Sequence, residues 1–127
     1  MVGKGIFKKN KKISGPIVLC ERRTITMLER DYQKGLIKRI KNLMPEGTRI
    51  IKNDAKLKQG IQDLLVSYGN RCAWLEVKKS KNAKHQPNQD YYVDLVNSQG
   101  GFARFIYPEN EDTVLKEMIE EVFYDLV

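Results

Sequence analysis

Two acidic residues and a lysine lie close together in a region of the sequence that is typical of a β-hairpin. Asp63 is part of the run GIQDLLV, Glu76 is part of the run WLEVKKS, and Lys78 follows Glu76 by two positions. Charged residues are rarely buried among apolar neighbours unless they are paired, because burying a charge is costly. These three residues are therefore the first candidates for chemistry.

The register of this hairpin predicts that the two acids are neighbours. Two strand-like segments flank Gly69-Asn70, a typical two-residue turn. Pairing about this turn sets Asp63 directly opposite Glu76, where Cβ atoms lie about 4.5 to 5.5 Å apart and like charges destabilise a sheet. A divalent cation between the carboxylates would remove this repulsion. Lys78 projects from the same strand face as Glu76.

Metal-assisted hydrolysis of phosphodiesters is the chemistry that uses such a patch. Carboxylate oxygens suit Mg²⁺ or Mn²⁺, and such an ion activates water and neutralises charge that develops at phosphorus. A lysine on the same face can orient the water or stabilise the same charge. The spacing fits equally well a lysine that only neutralises two surface acids, and a bulge in either strand would change the register.

The elements that must position this patch are predicted in the order αβββαβα, without an internal repeat. Apolar residues at helical spacing predict a first helix over 28–43, in which Thr26 and Glu29 form a capping box. The other predicted elements are strands over 48–52, 61–68 and 72–79, a second helix starting near Pro87, a strand over 102–107, and a third helix that Asn110 caps and that continues to Leu126. The predicted fold class is α/β, with a central mixed sheet flanked by helices.

Length and charge predict one domain with a polyanionic partner. The 127 residues, of which 41% are hydrophobic, are enough for a single domain over 24–127 preceded by a basic N-terminal arm over 1–23. Of the net charge of +7, residues 1–58 contribute 16 Lys and Arg against 5 Asp and Glu, whereas the rest contribute 7 against 11. DNA or RNA is the natural partner of this basic half, although a basic surface that is merely solvated fits the charge equally well.

The sequence does not indicate a membrane protein or a protein that binds metal through cysteines. No apolar run is long enough to span a bilayer, and the first residues lack the apolar region of a signal peptide, so we expect a cytoplasmic protein. Cys20 and Cys72 form neither a disulfide framework nor a close pair of metal ligands, and His85 is the only histidine. A lone exposed histidine is more often incidental than functional, even where it can touch phosphate.

Three motifs in order, GIQDLL, LEVKKS and HQPNQDYY, resemble the active-site motifs of the PD-(D/E)XK nuclease superfamily. More narrowly, they are similar to the VRR-NUC branch, small stand-alone nucleases found largely in bacteriophages. The resemblance covers roughly residues 24 to 110 and implies a restriction-endonuclease-like αβββαβ core, to which this chain adds a C-terminal helix. Gln62 stands where the family name has a proline, at a position that varies in the superfamily.

The resemblance implies a role for each residue of the hairpin. Asp63 and Glu76 match metal ligands for Mg²⁺ or Mn²⁺, the backbone carbonyl of Val77 matches a further ligand, and Lys78 matches the catalytic lysine. Gln89 matches a glutamine on helix two that faces the active site in this branch. The alternative for Gln89 is an ordinary surface residue in the first turn of that helix.

The family usually places a glutamate of helix one near the metal. Glu29 and Gln33 lie one turn apart along the same side of the predicted helix, and the sequence leaves open which of them faces the site. Glu29 also fits the capping box, whereas Gln33 supplies only a neutral amide, which would reduce metal affinity.

The expected function is that of a metal-dependent DNA endonuclease. Small members of the branch act on branched DNA such as four-way junctions, and paired cuts need two sites, so we expect a homodimer, in the bacterial host cytoplasm if a phage encodes it. The alternatives are a basic nucleic-acid-binding protein with an inactive acidic site, and a simple nicking or sequence-dependent endonuclease. The lysines expected to contact nucleic acid are Lys8, Lys9, Lys11, Lys12, Lys79, Lys81 and Lys84.

Overall fold

The computed structural model describes residues 28–53 and 62–127, which form three helices and four strands in the order αβββαβα. Helices α1, α2 and α3 span Glu29–Leu43, Pro87–Ser98 and Glu111–Glu121, and strands β1 to β4 span Arg49–Lys52, Leu64–Tyr68, Arg71–Val77 and Ala103–Ile106. The predicted basic arm over 1–23, with Lys8, Lys9, Lys11, Lys12 and Cys20, lies outside the described residues. None of the helices in the described ranges has the length and apolar character that crossing a bilayer requires.

The four strands form one mixed, open sheet in the order β1-β2-β3-β4. Strands β1, β2 and β3 pair antiparallel, and β4 pairs parallel to β3. Parallel neighbours need a crossover connection, and α2 is the helix of this crossover. The α/β class and the mixed sheet are as predicted.

The hairpin between β2 and β3 has the predicted turn and register. Gly69 adopts φ 62°, the left-handed conformation that a tight two-residue turn favours, and Asn70 completes the turn. The ladder begins with the pair Tyr68 and Arg71 next to this turn. It continues to the pair Leu64 and Leu75, so the next position in register is that of Asp63 and Glu76.

The core lies on one face of the sheet, between the sheet and helices α1 and α3. Leu36 and Ile40 of α1 are fully buried because they recur at i and i+4 on one side of the helix. The core members are Tyr32, Leu36, Ile40, Met44, Leu64, Val66, Ala73, Leu75, Val77, Phe102, Ile106, Val114, Leu115, Met118 and Phe123. Since strand side chains alternate between faces, Leu65, Trp74 and Glu76 project from the opposite face.

The start of α1 differs from the prediction. Leu28 is the N-cap residue and Glu29 is the first helical residue. The reciprocal bonds of a capping box join the N-cap residue to the third helical residue, so the predicted box of Thr26 and Glu29 is wrong, and Thr26 itself lies outside the described residues. Glu29 is therefore the first helical residue and not the third, which a capping box requires.

Helix α3 is shorter than predicted and is capped differently. It ends at Glu121 rather than Leu126, although Phe123 beyond it is fully buried in the core. Asn110 is the N-cap residue, but its side chain makes no bond to the helix. Instead, Asn110 Oδ1 accepts from the N–H of Tyr107 and Nδ2 donates to the carbonyl of Phe105, which fixes the turn between β4 and α3.

Candidate active site

Asp63 lies at the open end of the hairpin, in a bend just before β2 rather than inside the predicted strand. Its carbonyl accepts from the N–H of Asn53, which continues the pairing with β1. Its side chain turns the other way, and Oδ2 accepts from the N–H of Val77 at 2.9 Å. This bond takes the place of a ladder bond and leaves the Asp63 carboxyl group beside Glu76, the residue opposite it in register.

Glu76 is a buried acid whose bonding is incomplete. Its side chain is 1% exposed; Oε2 accepts from Gln89 Nε2 at 2.8 Å, but buried Oε1 has no hydrogen-bond partner among the described residues. Burial raises the pKa of Glu76 to about 9; the neighbouring Asp63 carboxyl group adds to this rise, whereas Lys78 opposes it. Two neighbouring carboxylates repel each other, and a proton or a cation between them would remove this repulsion.

Lys78 and Gln89 complete a connected polar cluster with Glu76. Strand β3 ends at Val77, one residue before Lys78 and earlier than predicted, and Lys78 is 5% exposed. Its Nζ donates to Gln89 Oε1 at 2.7 Å and to the carbonyl of Lys84 at 3.1 Å. The Gln89 amide therefore bridges the acid and the lysine, and Gln89 is part of the site rather than an ordinary surface residue.

The first turn of α2 fixes the Gln89 amide. Gln89 Oε1 also accepts from the N–H of Gln86 at 2.9 Å, and Pro87 follows Gln86 as the first helical residue, a position where the missing N–H costs nothing. The amide is held by its own helix and bonded to two groups of the sheet side. Its position thus depends on how α2 packs and not on the site alone.

The donor groups that meet at this end of β3 fit a hard divalent cation. In a strand, the N–H and C=O of one residue point to the same neighbouring strand, so the carbonyl of Val77 lies on the side of Asp63. This carbonyl, the Asp63 carboxylate and the unpartnered oxygen of Glu76 are all oxygen donors, the type that Mg²⁺ and Mn²⁺ prefer. A cation there would also replace the proton that burial otherwise forces onto the acid pair.

Helix α1 contributes a nearby charge rather than a further carboxylate within the cluster. Glu29 is exposed, and its charge adds to the raised pKa of Glu76. Gln33, one turn later, is half-buried, and no hydrogen bond joins either residue to Asp63 or Glu76. Within residues 28–53 and 62–127, no group of three or more His, Cys, Asp and Glu side chains is placed to hold a metal. The acids that the structure brings together are therefore two.

Three of the lysines expected to contact nucleic acid follow β3. Lys79, Lys81 and Lys84 are exposed, whereas Lys78 before them is buried. The backbone of this segment is fastened at two points, because Lys84 bonds to Lys78 through its carbonyl and the N–H of Lys81 donates to Glu109. Backbone contacts of this kind do not depend on residue type, so they could not be predicted from the sequence.

A second buried acid, Glu111 at the start of α3, has a complete set of partners. Its Oε1 accepts from the hydroxyl of Tyr32 at 2.8 Å and from a terminal nitrogen of Arg39 at 2.9 Å, and its Oε2 accepts from Arg39 Nε at 2.6 Å. Burial acts to raise the pKa of Glu111, but the hydrogen bonds from Arg39 and Tyr32 hold it below its usual value. This cluster joins α1 to α3 and was not predicted.

Comparisons with known proteins do not assign this chain to a group. No family model, no curated protein and no solved structure matches it. Evidence for function therefore comes from the motifs and from the geometry of the described residues.

Proposed function

We propose that this protein is a Mg²⁺- or Mn²⁺-dependent endodeoxyribonuclease whose active site comprises Asp63, Glu76, Lys78 and Gln89. The observation that carries the proposal is Glu76, a fully buried acid with one oxygen unpartnered among the described residues, beside a second acid and bridged to a buried lysine. A pair of acids with strongly perturbed titration and a charged partner is typical of functional sites. The αβββαβ order and mixed sheet are consistent with the restriction-endonuclease-like core that the motifs imply.

Each residue has a role that its contacts support. Asp63, Glu76 and the carbonyl of Val77 would hold the cation, which, when bound, activates water and offsets negative charge at the phosphate. Lys78 is fixed at two hydrogen bonds, so its remaining N–H can donate to the attacking water or to a phosphate oxygen without a large loss of side-chain entropy. Gln89 holds Glu76 and Lys78 in fixed relative positions.

The charge of the described surface supports a nucleic-acid partner. Helix α1 has an exposed face of four cations that recur at helical spacing, whereas α2 contains no lysine or arginine. The four residues are Arg30, Lys34, Lys38 and Lys41. Together with the exposed lysines after β3, they make a positive field that attracts a polyanion and releases its counterions on binding.

The finer parts of the proposal follow from the resemblance alone. A VRR-NUC nuclease of this size would act on branched DNA, as a homodimer that presents two sites, in the cytoplasm of a bacterial host if a phage encodes it. Light scattering at micromolar concentration should give the mass of a dimer, and a four-way junction should compete for the protein better than a duplex of equal length. A monomer without junction preference would favour a simple nicking or sequence-dependent endonuclease.

The direct experiment is a cleavage assay with metal as the variable. Supercoiled, linear and four-way-junction DNA, and an RNA of similar length, are incubated with the protein in Mg²⁺, Mn²⁺ or EDTA. We expect cleavage of DNA with either metal and none in EDTA. Binding without cleavage in any metal would instead identify a nucleic-acid-binding protein with an inactive acidic site, and cleavage of RNA alone would correct the substrate.

A further inference from the structure

The ring of His85 is held in one orientation on the same sheet face as the candidate active site. It stacks on Phe105, with ring centroids 4.0 Å apart and ring planes inclined by 15°. Phe105 pairs with Glu76 in the parallel ladder of β3 and β4. The next pair, Val77 and Ile106, is buried in the core, so Phe105 and Glu76 project from the opposite face. His85 therefore stacks on the β4 residue that pairs with Glu76 of β3.

The segment that carries His85 is also fastened to the candidate catalytic lysine. The carbonyl of Lys84, the preceding residue, accepts from Lys78 Nζ at 3.1 Å. The Lys84 side chain itself is exposed. His85 thus directly follows Lys84, whose carbonyl bonds to Lys78 and whose charged side chain is exposed.

The hydrogen bond of the ring leaves one nitrogen for a ligand. Nδ1 lies 3.0 Å from Oδ1 of Asp90, and a carboxylate only accepts, so Nδ1 carries hydrogen and donates. Nε2 makes no hydrogen bond within the described part of the chain, and the side chain is 33% exposed. Asp90 of α2 contacts the ring, Lys84 precedes His85 in the chain and bonds to Lys78 through its carbonyl, and the contact with β4 is to the uncharged Phe105.

We propose that Nε2 of His85 binds a backbone phosphate of the nucleic-acid substrate beside the phosphate that Lys78 faces. This inference rests on the proposed function, because it takes the nucleic-acid strand to pass over the site. A ring protonated at both nitrogens donates to Asp90 on one edge and to phosphate on the other, and such charge-assisted bonds are short and strong. The stack on Phe105 and the bond to Asp90 orient the ring before the substrate arrives, which lowers the entropy cost of the contact.

A purely structural role predicts a different result. If His85 only ties the loop to α2 through Asp90, its replacement changes the unfolding temperature and leaves the affinity for DNA and its salt dependence unchanged. Binding and stability measured on the same variants separate the two roles.

The test measures binding without cleavage. A Glu76→Gln protein, which we expect to be inactive, is titrated against a fluorescein-labelled DNA duplex by anisotropy, over a series of salt concentrations and between about pH 5.5 and 8.5, the range in which histidine changes charge. The same titrations are made with His85→Phe added, which keeps the aromatic stack, and with Lys116→Gln added, which removes an exposed cation of α3 instead. Circular dichroism checks that each variant is folded.

We expect His85→Phe to weaken binding several-fold at the acidic end and to reduce the slope of log K against log salt by about 0.9, the value for one phosphate contact in duplex DNA. Its affinity should approach that of the parent protein at the basic end, and Lys116→Gln should keep the pH dependence of the parent. Unchanged affinity, slope and pH dependence in His85→Phe would overturn the inference.

A second variant keeps the inference testable if His85→Phe does not fold. His85→Gln retains an N–H donor but no titratable ring, so it should lose the pH dependence of binding and keep part of the affinity; a parent-like pH dependence would overturn the inference. Failure of the proposed function is detected separately, because it appears as an absence of metal-dependent cleavage by the wild-type protein. A wild-type protein that binds no DNA overturns the inference as well.

Discussion

Glu76 and Glu111 are both buried acids, but their surroundings have opposite effects on them. Glu111 accepts three hydrogen bonds from Tyr32 and Arg39, and its pKa is lowered. Glu76 faces a second acid, leaves one oxygen without a partner in the described residues, and has its pKa raised to about 9. One glutamate thus belongs to an ion pair in which both carboxylate oxygens are hydrogen-bonded, and the other belongs to a cluster in which one oxygen has no such bond within the described residues.

The difference separates a structural acid from a candidate functional one. A buried charge with all of its partners is stable in the folded protein, while removing a partner leaves an uncompensated charge. The cluster of Glu76 lowers the stability of the metal-free protein, and a cation that neutralises both acids would stabilise it. A fold that retains such a cluster beside a buried lysine is best explained by a ligand that completes it.

The largest expected effect is on catalysis. Asp63→Asn, Glu76→Gln and Lys78→Ala should each reduce metal-dependent cleavage by orders of magnitude, because they remove cation ligands or the charge at the phosphate. Glu111→Gln should keep most of the activity wherever it is folded, since Glu111 belongs to the other cluster. Cleavage rates at saturating protein, with circular dichroism as a folding check, measure both. A wild-type cleavage rate in Glu76→Gln would show that the two acids do not differ in function.

The second effect is on stability, where Glu111→Gln should be the more damaging substitution and Glu76→Gln the milder one. Glu111→Gln should lower the free energy of unfolding by about 1 to 3 kcal/mol, because the Tyr32 hydroxyl and Arg39 lose a charged acceptor in a partly buried site. Glu76→Gln should leave the metal-free protein as stable or more stable, because folded Glu76 must take up a proton at neutral pH whereas glutamine is already uncharged. Urea unfolding in EDTA at neutral pH compares the two. A larger loss from Glu76→Gln than from Glu111→Gln would contradict the account.

The third effect is a difference in pH dependence. Between the usual value of 4.5 and about 9, folded Glu76 holds a proton that the unfolded chain has lost, so its contribution to stability is complete below this window and falls as pH rises through it. The maximal slope is about 1.4 kcal/mol per pH unit. The lowered pKa of Glu111 acts in the opposite direction, with stability lost as the solution is acidified. Unfolding of wild type and Glu76→Gln in EDTA over this range should show that the stability of wild type falls relative to that of Glu76→Gln as pH rises; a constant difference would argue against burial of the charge.

Local patterns were sufficient to predict the α/β class, the order of the helices and strands, and the position of the hairpin. The turn at Gly69 and the alternation of the flanking strands fix the register from neighbouring residues alone, so Asp63 and Glu76 could be brought together from the sequence. The bend at Asp63 was not predictable, since it depends on a side chain replacing a ladder bond to Val77. Neither were the contacts of Gln89 and Lys84 with Lys78, nor the pairing of Arg39 with Glu111, because they join elements far apart in the chain.

The most direct measurement of the central claim is the binding of Mn²⁺ to the purified protein at neutral pH, followed by the loss of the free-ion electron paramagnetic resonance signal. Wild type should bind Mn²⁺, Asp63→Asn and Glu76→Gln should bind it far more weakly, and folded Glu111→Gln should bind it with wild-type affinity. Equal affinity in wild type and Glu76→Gln, or no binding by wild type, would contradict the claim that the incomplete acid cluster is a cation site.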